Sequence, residues 1–191
     1  MPLDPDTNYI VSGLERSGTS LMMQILLASG VPIAYDEKSR PADDNNPRGY
    51  YELEGGKIIS RLEGGTFPMH NYKGKFIKVT AFGLQYLPSG AYNIIYMLRD
   101  LDEVLRSQGK MIGSENNETY EKDKSLLSMI NESALSIAAE RKYSIVKIDY
   151  RKLIDTPETE LEVINRYLDG IIDVEKSMKA IDKSLYRNRK I

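Results

Sequence analysis

The chain has 191 residues, enough for one domain with a substantial core. Its 41% hydrophobic and 28% charged residues are typical of a globular protein, and its net charge of −2 disfavours a nucleic-acid or membrane partner. The lack of cysteine excludes disulfides, cysteine nucleophiles and zinc–thiolate sites, and one histidine, His70, disfavours a histidine-built metal site. The sequence shows neither a signal-peptide core nor a long apolar run, so a cytoplasmic location is expected.

The first predicted element is a strand–turn–helix unit. Residues 9–11 form a short apolar, β-prone strand, and an apolar helix is expected over Thr19–Ala28. Gly13 and Gly18 between them have the G-x-x-x-x-G spacing of a phosphate-binding P-loop. Backbone N–H groups and the positive end of the helix dipole would converge there, which predicts an anion site.

A P-loop carries Lys and then Ser or Thr after its second glycine, but here Thr19 and Ser20 occupy these two positions. The cation of this loop is instead Arg16, which lies between the two glycines. The missing lysine argues against an ordinary ATPase or kinase. An arginine fork beside several hydroxyl groups still suits an anion with two exposed oxygens. The candidate anion-binding residues are therefore Arg16, Ser17, Gly18, Thr19 and Ser20.

The next stretch is irregular. Gly30 ends the first helix, and residues 31–33 are interpreted as a short edge strand. Residues 35–49 form a long loop rich in charge and turn residues, of the kind that often serves as a lid over a site. Glu52 follows this loop, and a weakly helical stretch then runs to about residue 62.

The remainder alternates strands and helices. Strands are predicted over residues 76–80, 92–98 and 144–148, and helices over residues 101–112, 120–142, 158–168 and 174–185. This alternation predicts one α/β domain over residues 1–191, with a parallel sheet flanked by helices on both faces.

A second candidate site begins at Arg99. This residue follows a buried strand, at the edge where open α/β sheets place their ligands. Ser107 lies about two turns into the next helix, opposite its apolar stripe. Since such a helix rises about 10 Å over seven residues, the two side chains are expected to meet only around a ligand.

Two motifs together carry a resemblance. G-x-x-R-S-G-T-S from Gly13 and R-D-x-x-E-V-x-x-S-Q from Arg99 resemble the sulfotransferases that use 3′-phosphoadenosine 5′-phosphosulfate (PAPS), in the style of bacterial and Golgi-type members. The resemblance implies a P-loop NTPase-like fold. It also implies that the first motif holds the 5′-phosphosulfate and that Arg99 and Ser107 hold the 3′-phosphate. A further similar segment, residues 148–170, would place Tyr150 near the adenine.

The chain departs from this family at the general base and at the residues that complete the binding of the 3′-phosphate. Cytosolic members carry K-T-H before the arginine-bearing strand, whereas this chain keeps Lys78 but has no histidine there. The family's C-terminal Arg-Lys-Gly is also missing, so Arg187 and Arg189 either replace it or form a solvated tail.

The resemblance implies in-line sulfuryl transfer from PAPS to an acceptor hydroxyl or amine, releasing adenosine 3′,5′-bisphosphate (PAP), without a required metal. Arg16 and Lys78 would neutralise the developing charge, and Glu52 or His70 would act as general base. The acceptor would be a small molecule or a glycan, although nothing in the sequence separates carbohydrate, lipid, peptide and small alcohol. The alternatives are a small P-loop phosphotransferase using ATP and a non-catalytic protein that binds PAP or PAPS.

Overall fold

A parallel four-stranded sheet organises the chain. The structure is a computed structural model that describes residues 3–36, 38, 40–112 and 119–186. The strands are β1 (Asn8–Gly13), β2 (Phe76–Lys78), β3 (Tyr92–Leu98) and β4 (Ser144–Asp149), and they lie in the order β2-β1-β3-β4. The predicted α/β class with a parallel sheet is therefore confirmed.

Helices cover both faces of this sheet. Ile10 and Val11 are consecutive residues of β1, yet they are buried in two different apolar clusters, as the alternation of strand side chains requires. The helices are α1 (Thr19–Ala28), α2 (Ile58–Glu63), α3 (Leu101–Ile112), α4 (Tyr120–Glu140), α5 (Tyr150–Asp155), α6 (Pro157–Tyr167) and α7 (Val174–Lys179). The first cluster includes residues of α1, α5 and α6, and the second includes residues of α2 and α4.

Several predicted elements differ from those observed. The predicted strand at residues 31–33 is reduced to one bridge, Ile33 with Phe76, because Pro32 has no N–H to extend the ladder. The predicted helix over residues 174–185 stops after α7, and Asp182 starts a separate 3₁₀ turn, Lys183–Leu185, by accepting a hydrogen bond from the Ser184 N–H.

Helix α5 was not predicted. It begins directly after β4, where the Asp149 side chain caps it by accepting a hydrogen bond from the Lys152 N–H. Within the described part of the chain, none of the helices combines the length and apolar character needed to cross a membrane.

The topology gathers the candidate site residues at one edge. β2 ends at Lys78, and Arg99 and Tyr150 directly follow β3 and β4. The anion loop, residues 13–18, leaves the same end of β1. Parallel strands present their carboxyl ends together, so side chains far apart in sequence meet there.

Candidate active site

The anion loop connects β1 to α1 and ends at Gly18, where any other residue would be strained. Gly18 precedes the first residue of α1 and has a φ of 106°. A Cβ at Gly18 would lie 2.3 Å from Cδ2 of Tyr150, so the loop backbone and this aromatic ring are in close approach. The N-terminus of α1 therefore opens beside the Tyr150 ring, with its backbone donors at the site.

Arg16 lies at the centre of the loop in a left-handed conformation, with a φ of 70°. Its Nε donates a hydrogen bond to Oγ of Ser107 at 3.0 Å, and its Nη2 donates to the carbonyl oxygen of Asn45 at 2.9 Å. The guanidinium thus joins the anion loop to α3 and to the long loop of residues 35–49. Such backbone strain at a non-glycine residue is common at ligand sites.

Arg99 and Ser107 meet through Arg16. Nη1 of Arg99 donates to the carbonyl oxygen of Arg16 at 2.8 Å, while Ser107 accepts from the Arg16 side chain. Arg16 therefore links the two residues through its backbone and its side chain, and the expectation that a ligand also bridges them stays a prediction. The guanidinium carbon of Arg99 also lies 4.4 Å from the ring centre of Tyr150, a cation–π distance.

A second charged cluster surrounds Lys78. Its Nζ lies 2.9 Å from Oε1 of Glu52 and donates to the Tyr50 carbonyl oxygen at 2.8 Å and to Oγ of Ser20 at 3.0 Å. The other Glu52 oxygen, Oε2, accepts from Nη1 of Arg40 at 2.7 Å. Glu52 is thus held between two cations at the boundary of the long loop.

The protonation states of this cluster follow from burial and charge. Burial raises the pKa of Glu52, but the neighbouring Lys78 and Arg40 outweigh it and leave the pKa below its usual value. Burial lowers the pKa of Lys78, and the Glu52 charge offsets only part of that effect. At neutral pH Glu52 is therefore ionised and able to accept a proton.

These groups line one cavity of about 190 Å³. It brings together all the site residues predicted from the sequence except Ser17: Arg16, Gly18, Thr19, Ser20, Glu52, Lys78, Arg99, Ser107 and Tyr150. Ser17 is fully buried within the loop, its N–H donates to the Leu14 carbonyl oxygen, and its hydroxyl has no hydrogen-bond partner among the described residues.

The alternative base, His70, is not in this cavity but is exposed in the 3₁₀ turn Met69–Tyr72. Arg187 and Arg189 lie outside the described residues. Within the part of the chain that is described, no group of three or more His, Asp or Glu side chains is arranged to hold a metal ion.

The sequence did not predict the part of the cavity wall that is made by the long loop and by the C-terminal segment, residues 180–186. Arg40, Asn45 and Asn46 line the cavity from the loop. Arg48 ties this loop across to the C-terminal segment, because Nη1 donates to the Ala180 carbonyl oxygen at 2.7 Å and Nη2 donates to Oδ2 of Asp182 at 3.0 Å. The charge of the loop was the only sequence signal, and it did not indicate which residues turn inward.

Comparison with known proteins gives a match at the level of structure. No family model matches the sequence, and no curated protein matches it. The sulfotransferase domain of the olefin synthase from Synechococcus PCC 7002 is 13% identical, covers 99% of this chain and 90% of its own, and superposes with a TM-score of 0.55. An unliganded sugar kinase from Janibacter sp. HTCC2649 is 17% identical, covers 90% of this chain and 98% of its own, and has a TM-score of 0.43, too low to bear on the fold. The chain therefore has a sulfotransferase-like fold.

Proposed function

We propose that this chain is a sulfotransferase that moves the sulfuryl group of PAPS to a hydroxyl or amine of a small-molecule or glycan acceptor. The observation that carries the proposal is the opening of the anion loop, the Arg99–Ser107 pair and the Lys78–Glu52 pair into one cavity. The two motifs that resemble PAPS-dependent sulfotransferases lie on this cavity, and the sulfotransferase-like fold supports the same reaction class.

The donors in the cavity fit a nucleotide that carries anionic groups at both its 5′ and 3′ positions. Arg16, Ser20 and the N-terminus of α1 would hold the 5′-phosphosulfate. Arg99 and Ser107 would hold the 3′-phosphate, and the Tyr150 ring would lie near the adenine. PAPS would supply the sulfuryl group and leave as PAP. Gly18 suits this assignment, because its missing side chain keeps the loop backbone accessible beside Tyr150.

Lys78 and Arg16 would stabilise the charge that develops on the leaving oxygen. The Lys78 side chain is only 6% exposed, so its charge acts through a poorly screened environment. Its three acceptors come from two segments, Ser20 in α1 and the pair Tyr50 and Glu52 after the long loop, and they fix the position of Nζ at the cavity wall. A positioned cation of this kind costs no reorganisation when the charge appears.

Glu52 would accept the proton of the acceptor. Each of its carboxylate oxygens accepts one contact from a cation, and a carboxylate oxygen has a second lone pair that can take a proton. The two ion pairs keep Glu52 ionised and hold it at the cavity, while the long loop beside it can exclude water from an acceptor.

Isothermal calorimetry with PAP, ATP and ADP under identical conditions tests the choice of nucleotide. The proposal predicts submicromolar binding of PAP and no binding of ATP, with or without EDTA. Binding of ATP that needs Mg²⁺, without binding of PAP, would favour the phosphotransferase alternative. Tight PAP binding without turnover of PAPS by any acceptor would leave the non-catalytic binding protein.

A further inference from the structure

A buried carboxylate outside the predicted site contacts Arg99. Glu103 lies in the first turn of α3 and is 1% exposed. Its Oε2 accepts a hydrogen bond from Nε of Arg99 at 3.1 Å, and its two oxygens each lie 2.8 Å from the hydroxyl group of Tyr186. Burying a carboxylate is costly unless it is paired, so these contacts make Glu103 a strong constraint on Arg99.

Four contacts from separate segments hold the Arg99 guanidinium. Glu103 binds Nε, the Arg16 carbonyl oxygen accepts from Nη1, and the rings of Tyr150 and Tyr186 lie 4.4 Å and 5.4 Å from the guanidinium carbon. Among the described residues, Nη2 has no hydrogen-bond partner. The contacts therefore fix the plane of the guanidinium and leave Nη2 as a donor for a ligand in the cavity.

We propose that Glu103 and Tyr186 are positioning residues that orient Arg99 toward the 3′-phosphate of the bound nucleotide. This inference rests on the proposed function, since it assumes a ligand with a 3′-phosphate. Free arginine side chains have many rotamers, and fixing one beforehand removes an entropic cost that binding would otherwise bear. Tyr186 belongs to the C-terminal segment, so that segment supports the cofactor site through Glu103.

The Glu103 carboxylate also has an opposing electrostatic effect on a bound phosphate. A carboxylate beside Arg99 also repels a phosphate and offsets the arginine charge. If only this charge matters, its removal strengthens PAP binding. If positioning matters, its removal weakens PAP binding, because the guanidinium loses its Nε anchor.

Affinities for PAP and for adenosine 5′-phosphate, measured by calorimetry, separate the two cases because these ligands differ only in the 3′-phosphate. Glu103→Met, which keeps the length but offers no oxygen to Arg99, should weaken PAP binding about tenfold, the size of effect expected when one charge-assisted hydrogen bond that orients Arg99 is lost. Its affinity for adenosine 5′-phosphate should stay that of the wild type. Glu103→Gln, which keeps an acceptor oxygen for Arg99, should retain most of the PAP affinity that Glu103→Met loses.

Tyr186→Phe is a second variant, which removes only the hydroxyl group that contacts Glu103. It tests the same inference even if Glu103→Met fails to fold. It should weaken PAP binding by a few-fold, as expected for the loss of one hydrogen bond to the carboxylate. Asp102→Asn is the matched control, since Asp102 is on the same helix but pairs with Lys124 and Tyr120 and does not line the cavity. It should leave both affinities unchanged.

Four outcomes would overturn the inference. Stronger PAP binding in Glu103→Met would mean that the carboxylate only opposes the phosphate. Equal losses for both nucleotides, or unchanged PAP affinity in Glu103→Met and Tyr186→Phe, would mean a purely structural role. If the wild type itself does not distinguish PAP from adenosine 5′-phosphate, the proposed function fails first and this inference fails with it.

Discussion

Nζ of Lys78, the last residue of β2, lies 2.9 Å from Oε1 of Glu52, which stands shortly after the long loop. The contact places the proposed general base directly beside the proposed stabilising cation. A proton acceptor and a charge stabiliser on opposite ends of one ion pair are well placed to act on the two reacting oxygens of an in-line transfer.

Glu52→Gln should separate binding from catalysis. The amide keeps an acceptor oxygen for Lys78 but does not take a proton at neutral pH. PAP affinity should therefore be retained, while the turnover of PAPS should fall about 10²-fold or more, as expected for the loss of general-base catalysis. Calorimetry with PAP and steady-state turnover measure the two quantities.

His70→Asn is the control for that substitution. His70 is exposed and does not line the cavity, so its replacement should leave turnover unchanged. A fully active Glu52→Gln variant together with an inactive His70→Asn variant would transfer the role of base to His70.

Arg40→Gln should shift the pH dependence of turnover. Lys78 and Arg40 hold the pKa of Glu52 below its usual value, against burial, which raises it. Without Arg40 the pKa of Glu52 should rise, so the carboxylate becomes protonated, and inactive as a base, at a higher pH than in the wild type. The acid limb of kcat/KM should therefore move to higher pH, with little change on the alkaline side.

Arg61→Gln is a matched control for Arg40→Gln. Arg61 also forms an ion pair with a glutamate, Glu54, but neither residue lines the cavity. Its pH profile should coincide with that of the wild type. An acid limb that stays in place in Arg40→Gln would mean that Glu52 is not the group whose ionisation limits turnover.

Gly18→Ala should destabilise the fold and the site together. Its φ of 106° is unfavourable for alanine, and the new Cβ would lie 2.3 Å from Tyr150. Gly30→Ala is the control, because Gly30 has a φ of 79° but no atom within 4 Å of such a Cβ. In urea, Gly30→Ala should lower the free energy of unfolding by about 1 kcal/mol, and Gly18→Ala by about 1–3 kcal/mol more.

PAP affinity should fall in Gly18→Ala and stay unchanged in Gly30→Ala. Equal stability of the two variants would mean that the Tyr150 ring moves aside without cost. The close approach of loop and ring would then not be required for the site.

Arg99→Ala should weaken PAP binding by about 1.5–3 kcal/mol, the usual cost of a lost hydrogen bond to a charged group. It should also lower the free energy of unfolding by about 3 kcal/mol, because the buried Glu103 carboxylate loses its ion pair with Arg99. Adding Glu103→Gln should recover part of the stability and none of the PAP affinity. Recovery of both would mean that Arg99 supports the fold without touching the ligand.

The sequence predicted the regular elements best where a pattern is local. The apolar runs in β3 and α1 predicted bounds that agree with the structure, because a buried strand or helix needs a continuous set of apolar residues. Helix α5 was missed because it spans only six residues and depends on the Asp149 cap more than on periodicity.

The candidate site was predictable only in part, for a similar reason. Arg16 and Arg99 stand in recognisable motifs after strands, so the topology of a parallel sheet brings them together. Arg40 lies in the long loop and Tyr186 in the C-terminal segment. The contacts that bring them to the site join residues that are distant in sequence. No local pattern records such contacts.

A paired isotope assay tests sulfuryl transfer itself. The protein is incubated with ³⁵S-labelled PAPS, or with γ-³²P-labelled ATP and Mg²⁺, and a mixture of alcohols, phenols, saccharides and amines. We expect ³⁵S to move to an acceptor with release of PAP, EDTA not to prevent this, and Glu52→Gln to lose most of the activity. Transfer of ³²P from ATP without transfer of ³⁵S would contradict the proposed function.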